Sequence, residues 1–182
     1  MGTILYPVGV PLPDKQRADI DVQRESVWAI NTGFRQSCAA CRSAGHQSPV
    51  LLPDGTQLAA ASFDPVAPYS RVREPDYGLY FDFRWQPPWE HDHVDWPDFG
   101  VPASAEALVE ALKTVLDRAQ RAQAVEVGCI GGHGRTGTAL ACLAVLTGHP
   151  AQDAVAWVRS KYCAKAVETP AQQAFIAAIR NS

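Results

Sequence analysis

Apolar runs in the 182-residue sequence fall short of the ~18 residues that a membrane-spanning helix requires. Positive charge is not in excess either, because sixteen Lys and Arg stand against nineteen Asp and Glu, a formal net charge of −3. This balance argues against a general nucleic-acid binder and against a protein held on membranes by charge. The first seven residues lack the basic and then apolar pattern of a secretory signal peptide. We therefore expect a globular protein with neither a nucleic-acid nor a membrane partner.

Cysteines are few and odd in number, five in all, which fits a reducing cytoplasm better than a disulfide framework. Cys38 and Cys41, with His46 nearby, could form a zinc knuckle or a redox pair, but no second pair at this spacing supplies further ligands. An ordinary structural role for them is the simpler interpretation, and Cys142 and Cys163 are expected in the core. The sequence predicts a cytoplasmic protein without a metal or another cofactor.

Linkers rich in Gly and Ser, internal repeats and low-complexity tracts are all absent, so we predict one domain over residues 1–182. The composition nevertheless shifts near residue 102: twelve of the fourteen prolines and four of the five tryptophans lie up to that point, whereas nineteen alanines follow it. The first part is therefore expected to hold loops and short strands, and the second part mostly helices. The whole predicts an α/β fold with a central, mostly parallel sheet flanked by helices.

Local patterns place the individual elements. A hairpin is expected over residues 50–58, because a Pro-Asp-Gly turn signal separates two apolar segments. Ser104 can cap a helix that runs to about residue 122. Thr169 and Gln172 have the spacing of a capping box at the start of the last helix. Further strands are predicted over residues 26–31, 77–81 and 124–127, and further helices over residues 136–147, 151–162 and 170–180.

The most informative segment, residues 127–137, reads Val-Gly-Cys-Ile-Gly-Gly-His-Gly-Arg-Thr-Gly. A strand delivers Cys129 into a glycine-rich loop, and Arg135 closes the loop where a helix is predicted to begin. Backbone N–H groups in such a loop, together with the helix dipole, can form a cradle for an oxyanion. Arg135 adds a planar fork that matches two phosphate oxygens, and the same positive surroundings favour the Cys129 thiolate. A thiolate beneath a bound phosphate is a nucleophile aimed at phosphorus, although a bare turn of this kind can also hold a merely structural cysteine.

A second segment, residues 95–102, reads Asp-Trp-Pro-Asp-Phe-Gly-Val-Pro. By itself it indicates a turn with an aromatic anchor. Asp98 nevertheless lies 31 residues before Cys129, with one predicted helix and one predicted strand between them. The turn can therefore fold back as a lid over the mouth of the cysteine loop. An aspartic acid on such a lid can protonate a displaced phenolate or alkoxide.

Together, the Trp-Pro-Asp-Phe-Gly-Val-Pro lid and the Cys-x5-Arg-Thr-Gly loop resemble the protein tyrosine phosphatase superfamily. The lid is similar to that of the tyrosine-specific branch, whereas the length is nearer to the compact dual-specificity branch. Residues 168–175, Glu-Thr-Pro-Ala-Gln-Gln-Ala-Phe, resemble the glutamine loop of the family. The similarity covers roughly residues 77–178, and residues 1–75 match no family pattern. It implies a phosphatase-type cysteine loop between a strand and a helix.

The resemblance implies a role for each matching residue. Cys129 would attack phosphorus, Arg135 would clamp the phosphoryl oxygens, and Thr136 would help the sulfur to leave. Asp98 would protonate the leaving oxygen and then act as a base toward water. The phosphate would be bound by the backbone amides of Ile130, Gly131, Gly132, His133 and Gly134.

Two further positions match the family, and others depart from it. Gln172 matches a family glutamine near the hydrolytic water, and Glu168 stands where the tyrosine-specific branch has another. Gly128 replaces the His that usually precedes the cysteine. His133 is expected at the exposed rim of the loop, where its charge could favour an anionic substrate. The aromatic ring that sets pocket depth for phosphotyrosine has three candidates without discriminating context, namely Tyr69, Tyr77 and Tyr80.

The expected reaction is phosphomonoester hydrolysis through a phosphocysteine intermediate. The substrate is a phosphorylated protein or a small phosphoester, with phosphotyrosine favoured, alone or together with phosphoserine and phosphothreonine. A phosphoinositide, an inositol phosphate or a nucleic-acid 5′-phosphate is the alternative substrate, and a phosphate-binding module without turnover is the alternative function. Two segments have two interpretations each. Residues 85–89 could form a partner surface, but packing that anchors the lid is favoured. Residues 90–98 could bind a metal, but a solvated loop is favoured.

Overall fold

The computed structural model describes residues 47–63, 69, 71 and 73–179, which build a five-stranded sheet. Its spatial order is β1-β2-β5-β3-β4, and all neighbours are parallel except β1 and β2, which are antiparallel. The predicted α/β fold with a mostly parallel central sheet is confirmed. The strands are β1 (Gln47–Leu51), β2 (Gln57–Ser62), β3 (Tyr77–Tyr80), β4 (His91–His93) and β5 (Val125–Cys129).

Four helices flank this sheet within the described ranges. The helix that follows the central strand β5 is almost entirely buried, which fits its run of Ala, Leu, Val and Cys. Cys142 lies in it with no exposed surface, and Cys163 is buried as well, so both are core residues as predicted. The helices are α1 (Ala105–Gln120), α2 (Gly134–Leu146), α3 (Ala154–Lys161) and α4 (Pro170–Ala178).

Side-chain caps fix where the elements begin. The Ser104 hydroxyl accepts a hydrogen bond from the backbone of Ala107 at 3.1 Å and so starts α1 as predicted. At α4, Thr169 accepts from the backbone of Gln172 at 3.2 Å, and the Gln172 side chain accepts from the Thr169 backbone at 3.3 Å. The capping box is thus complete. The predicted hairpin is also present, closed by the Asp54 carboxylate on the Thr56 backbone at 2.9 Å.

Strand β4 was not predicted, because its three residues lie in a stretch that reads as a solvated loop. Parallel pairing with β3 forms it, and the Tyr77 hydroxyl donates to Asp92 at 2.7 Å. Among the described residues no group of His, Cys, Asp or Glu is arranged to hold a metal ion. The predicted strand at 26–31 and the Cys38, Cys41 and His46 group lie outside the described residues. None of the described helices has the length and apolar character needed to cross a membrane.

A second, smaller core covers the sheet face opposite to α2. Trp85 is fully buried there and stacks on Tyr80, with ring centroids 4.3 Å apart. Glu126, also fully buried, is paired with Arg71 at 2.7 Å and accepts from the Tyr80 hydroxyl at 2.9 Å. Burying a carboxylate is tolerated only with such partners. Trp85 therefore packs on the sheet, rather than on the lid as the sequence favoured.

Gly128 is the position where this core touches the strand that carries Cys129. A Cβ on Gly128 would lie 2.7 Å from Cζ3 of Trp85 and 3.0 Å from the carbonyl oxygen of Ala61. The tryptophan ring thus leaves no room for a side chain at this position.

Gly128→Ala should therefore destabilise the fold by ~1–3 kcal/mol through overpacking against the ring of Trp85. The measurement is chemical denaturation of Gly128→Ala, Trp85→Leu and the double variant. Because leucine is smaller than tryptophan, the alanine should cost less in the Trp85→Leu background, giving a non-additive cycle. Strictly additive changes would show that the ring does not limit this position.

Candidate active site

Cys129 ends β5, and the loop from Cys129 to Arg135 leads directly into α2; we call these seven residues the phosphate loop. The Cys129 sulfur is nearly buried and accepts two hydrogen bonds. One comes from the backbone of Gly132 at 3.2 Å and the other from the Thr136 hydroxyl at 3.1 Å. Gly132 has a φ of +70°, in the left-handed region that favours glycine, and this turn directs its N–H toward the sulfur. Both donors stabilise negative charge on sulfur.

Arg135 is buried, with 5% of its surface exposed, and is fixed by carbonyl groups from two other parts of the chain. Its Nη1 donates to the carbonyl of Phe81 at 2.6 Å and to that of Trp96 at 3.1 Å. Its Nε is buried and, within the described residues, has no hydrogen-bond partner. The side chain is thus held in place while one buried donor is left for an oxyanion.

Asp82 and Arg84 belong to the site, and the sequence reasoning missed both. Asp82 lies 3.6 Å from Nη1 of Arg135, and Arg84 donates to the two oxygens of Asp82 at 2.9 and 2.8 Å. Burial by itself raises the pKa of Asp82, but the hydrogen bonds and charge of Arg84 and the charge of Arg135 leave it below its usual value. The available signal was that Asp82 follows β3, whose carboxyl end meets that of β5 in a parallel sheet.

The lid, residues 95–102, folds over the phosphate loop as its spacing predicted. Asp98 Oδ1 lies 3.3 Å from Nη2 of Arg135, while about two-thirds of the Asp98 side chain is exposed. The lid is anchored by Trp96, which is buried, packs edge-on against Phe81, and donates from Nε1 to the Gly100 carbonyl at 2.9 Å. Trp96 thus holds the turn in place, and the Asp98 carboxylate lies at the opening of the phosphate loop.

Gln172 and Glu168 both reach the site from the start of α4. Nε2 of Gln172 donates to the Gly100 carbonyl at 3.2 Å, so the residue that caps α4 also braces the lid. Burial raises the pKa of Glu168, and the charge of Asp98 raises it further. A hydrogen bond from the Gly134 backbone and the charge of Arg135 partly offset this rise. The Glu168 carboxylate therefore lies near the Asp98 carboxylate, the Arg135 guanidinium and the Gly134 N–H.

Several other expectations about the rim are wrong. His133 is only 2% exposed, and its backbone carbonyl accepts a hydrogen bond from the Val167 backbone at 3.4 Å. Tyr77 and Tyr80 are buried in the sheet, so neither ring can line the mouth. Tyr69 instead packs edge-on against Trp89.

Comparison with known proteins agrees with this geometry. Residues 99–180 match a family model described as "PTP-SAK: Swiss Army Knife protein, DSP-PTPase phosphatase domain". The structure aligns with that of Tk-PTP in its active form, with 28% sequence identity and a TM-score of 0.50 over 56% of this chain and 76% of that one. Residues 99–180 are therefore similar to the phosphatase domains of the protein tyrosine phosphatase superfamily.

Other proteins match the fold or part of the sequence. The kinase-associated phosphatase with its catalytic-site cysteine replaced by serine has a TM-score of 0.61 at 16% identity, over 74% of this chain and 93% of that one, which shows a shared fold. The uncharacterized protein MJ0215 of Methanocaldococcus jannaschii is 39% identical over 88 residues, 46% of this chain and 51% of that protein. The chain therefore spans about half the length of the curated relatives it matches.

Asp98→Asn should slow the hydrolysis of a phenyl or alkyl phosphate by ~10²–10⁴-fold, because the leaving oxygen is no longer protonated. An activated nitrophenyl ester should be slowed less, and the alkaline limb of the rate profile should flatten. Both effects can be measured in one pH series with two substrates whose leaving groups differ in basicity. Asp95→Asn is the matched control, since Asp95 is exposed on the same lid. If Asp95→Asn removed the basic limb and Asp98→Asn kept it, the assignment to Asp98 would be wrong.

Proposed function

We propose that this phosphatase-family chain hydrolyses phosphomonoesters through a phosphocysteine formed on Cys129. The observation that carries the proposal is the pairing of a doubly hydrogen-bonded Cys129 sulfur with a buried Arg135 whose Nε has no hydrogen-bond partner among the described residues. Because the Arg135 guanidinium is buried, it has lost its hydrating water. It is therefore suited to bind an anion directly above the sulfur. A bare structural turn would not need this arrangement.

In the first step the Cys129 thiolate forms a bond to phosphorus, and the bond from phosphorus to the ester oxygen breaks. Asp98 transfers its proton to that oxygen, which leaves as a neutral alcohol or phenol. The three remaining phosphoryl oxygens are held by the loop amides and by the fork of Arg135. The Thr136 hydroxyl stabilises the thiolate before attack.

In the second step water attacks phosphorus and the bond from sulfur to phosphorus breaks, which returns the Cys129 thiolate and releases inorganic phosphate. Asp98, now ionised, accepts the proton of the attacking water. Glu168 and Gln172 lie close enough to the lid and to Gly134 to orient this water. Of the two, Glu168 is better placed, because the Gln172 amide already caps α4 and braces Gly100.

The substrate we propose is phosphotyrosine in proteins, alone or with phosphoserine and phosphothreonine. Phe99, beside Asp98, and Phe83, beside Asp82, are 50% and 57% exposed, and aromatic rings at a mouth favour a phenyl group by stacking. The charge of His133 was the sequence feature in favour of a phosphoinositide or an inositol phosphate. Its burial removes that support.

Cys129→Ser should abolish turnover of p-nitrophenyl phosphate and phosphotyrosine peptides while keeping the affinity for tungstate, because the cradle consists of backbone amides and Arg135. Initial rates and tungstate titration measure the two effects. Cys142→Ala is the control, since it removes a buried thiol outside the phosphate loop. Turnover of Cys129→Ser within tenfold of the wild type would refute the mechanism. Parallel assays with phosphoserine peptides and a phosphoinositide decide the substrate class.

Glu168→Ala should slow the second step, so that a burst of about one nitrophenol per active site precedes a slower steady rate. Glu168→Gln should restore much of that rate, since an amide oxygen can still orient water. In the wild type, hydrolysis of the intermediate should rise with pH through the raised pKa of Glu168, as its carboxylate becomes charged, and this limb should be missing in Glu168→Gln. Rapid-mixing kinetics across pH provide the test. An unchanged steady rate without a burst in Glu168→Ala would contradict the assignment.

A further inference from the structure

The segment between α3 and α4 contacts the phosphate loop residue by residue; we call Tyr162 to Glu168 the brace. The Tyr162 hydroxyl donates to the Gly132 carbonyl at 2.5 Å. The Val167 backbone N–H lies 3.4 Å from the His133 carbonyl, which also accepts the first helical bond of α2. The next contact along the brace is the hydrogen bond from the Gly134 backbone to the Glu168 carboxylate. Three successive loop residues are therefore held by one connecting segment.

These contacts matter because a trans peptide unit directs its C=O and its N–H in opposite directions. The Gly132 carbonyl and the His133 N–H belong to the same peptide unit. Holding that carbonyl outward on the Tyr162 hydroxyl therefore turns the His133 N–H toward the interior of the loop. The following unit differs, because its carbonyl, that of His133, accepts from Val167 and its N–H, that of Gly134, donates to the Glu168 carboxylate, so both of its polar groups bond to the brace.

The brace is itself held rigidly against the loop. Arg159 donates to the carbonyls of Ala166 and Val167, both at 3.0 Å. Gly137 lets it approach, since a Cβ there would lie 2.7 Å from the Cβ of Ala166 and 3.0 Å from the Val167 nitrogen. Val167 has a φ of +64°, an unfavourable conformation for a β-branched residue that persists only where the surroundings enforce it. The strain fits a segment selected for its position.

Tyr162 is suited to remain a donor across the working pH range. Burial raises the pKa of its hydroxyl well above the usual value, and the charge of Cys129 raises it further. A protonated hydroxyl that donates to a carbonyl has one stable orientation toward the loop.

We propose that Tyr162 is a positioning residue of the phosphate loop: its hydroxyl holds the Gly132 carbonyl outward and thereby aims the His133 N–H at the bound oxyanion. This deepens the proposed phosphatase function and rests on it. The Tyr162 hydroxyl bonds to the Gly132 carbonyl and not to the sulfur, so it acts through the orientation of the peptide unit between Gly132 and His133.

Tyr162→Phe should weaken tungstate binding by about tenfold, as expected for the loss of one aligned donor to a charged group. It should also shift the pH profile of Cys129 alkylation by iodoacetamide to higher pH, because a less ordered loop stabilises the thiolate less. The alkylation is followed on the Cys129 peptide by mass spectrometry, which separates it from the other cysteines. kcat/KM for p-nitrophenyl phosphate should fall by a similar factor.

Tyr77→Phe is the matched control. It also removes one tyrosine hydroxyl, which donates to Asp92 at 2.7 Å, but it lies at the end of β3 farthest from the phosphate loop. Tyr77→Phe should keep the wild-type alkylation profile and tungstate affinity. Arg159→Gln, which removes the fork that holds the brace, should shift both in the same direction as Tyr162→Phe. Thermal unfolding of all variants separates loop effects from loss of the fold.

The outcomes separate this proposal from the proposed function. If the wild type is active and Tyr162→Phe matches Tyr77→Phe in alkylation profile and tungstate affinity, the positioning role is refuted and the phosphatase function stands. If the wild type hydrolyses no phosphomonoester, the proposed function fails, while the alkylation profile still decides whether Tyr162 orders the loop. A shift confined to Tyr162→Phe and Arg159→Gln, with folding intact, supports the brace.

Discussion

The burial of the Arg135 guanidinium is the constraint on which the rest of the site depends. A buried cation is tolerated only when acceptors meet its donors, and here these acceptors come from two separate segments, the end of β3 and the lid. The carbonyl of Phe81 lies just beyond β3, the carbonyl of Trp96 belongs to the lid, and the carboxylates of Asp82 and Asp98 lie at 3.6 and 3.3 Å. Satisfying one side chain thus brings together the sheet edge, the lid and the phosphate loop.

A shared hydrogen-bond acceptor also links the lid to α4. The Gly100 carbonyl accepts from both Trp96 and Gln172, so the turn that presents Asp98 is tied to the residue that caps α4. Glu168 lies one residue before the cap and reaches the Gly134 amide. A change in the start of α4 therefore acts on the lid and on the phosphate loop at once. Such shared partners predict non-additive effects of substitutions across the site.

The second core explains why the residue just before Cys129 is a glycine. Trp85 fills the space beneath Gly128, and its neighbour Tyr80 donates to the buried Glu126 in the same strand. The strand is therefore supported from below by packing and by a buried ion pair with Arg71. Support of the phosphate loop from above comes from the brace and its Tyr162 hydroxyl.

Local sequence patterns were sufficient for features whose physics is local. The caps at Ser104 and Thr169 and the turn of the hairpin all depend on residues within a few positions of one another, and the structure has them where the sequence placed them. Cys129 and Arg135 are also fixed locally, because one loop of seven residues carries both.

The environment of those residues was decided by the tertiary structure alone. Asp82, Arg84 and Tyr162 reach the site only through the parallel arrangement of β3 and β5 and the path of the brace, and no short-range pattern encodes either. The sequence by itself determined the candidate reacting groups, because their spacing is a property of the chain. The tertiary structure decided which way their peptide units and charges point, because those contacts join residues far apart in sequence.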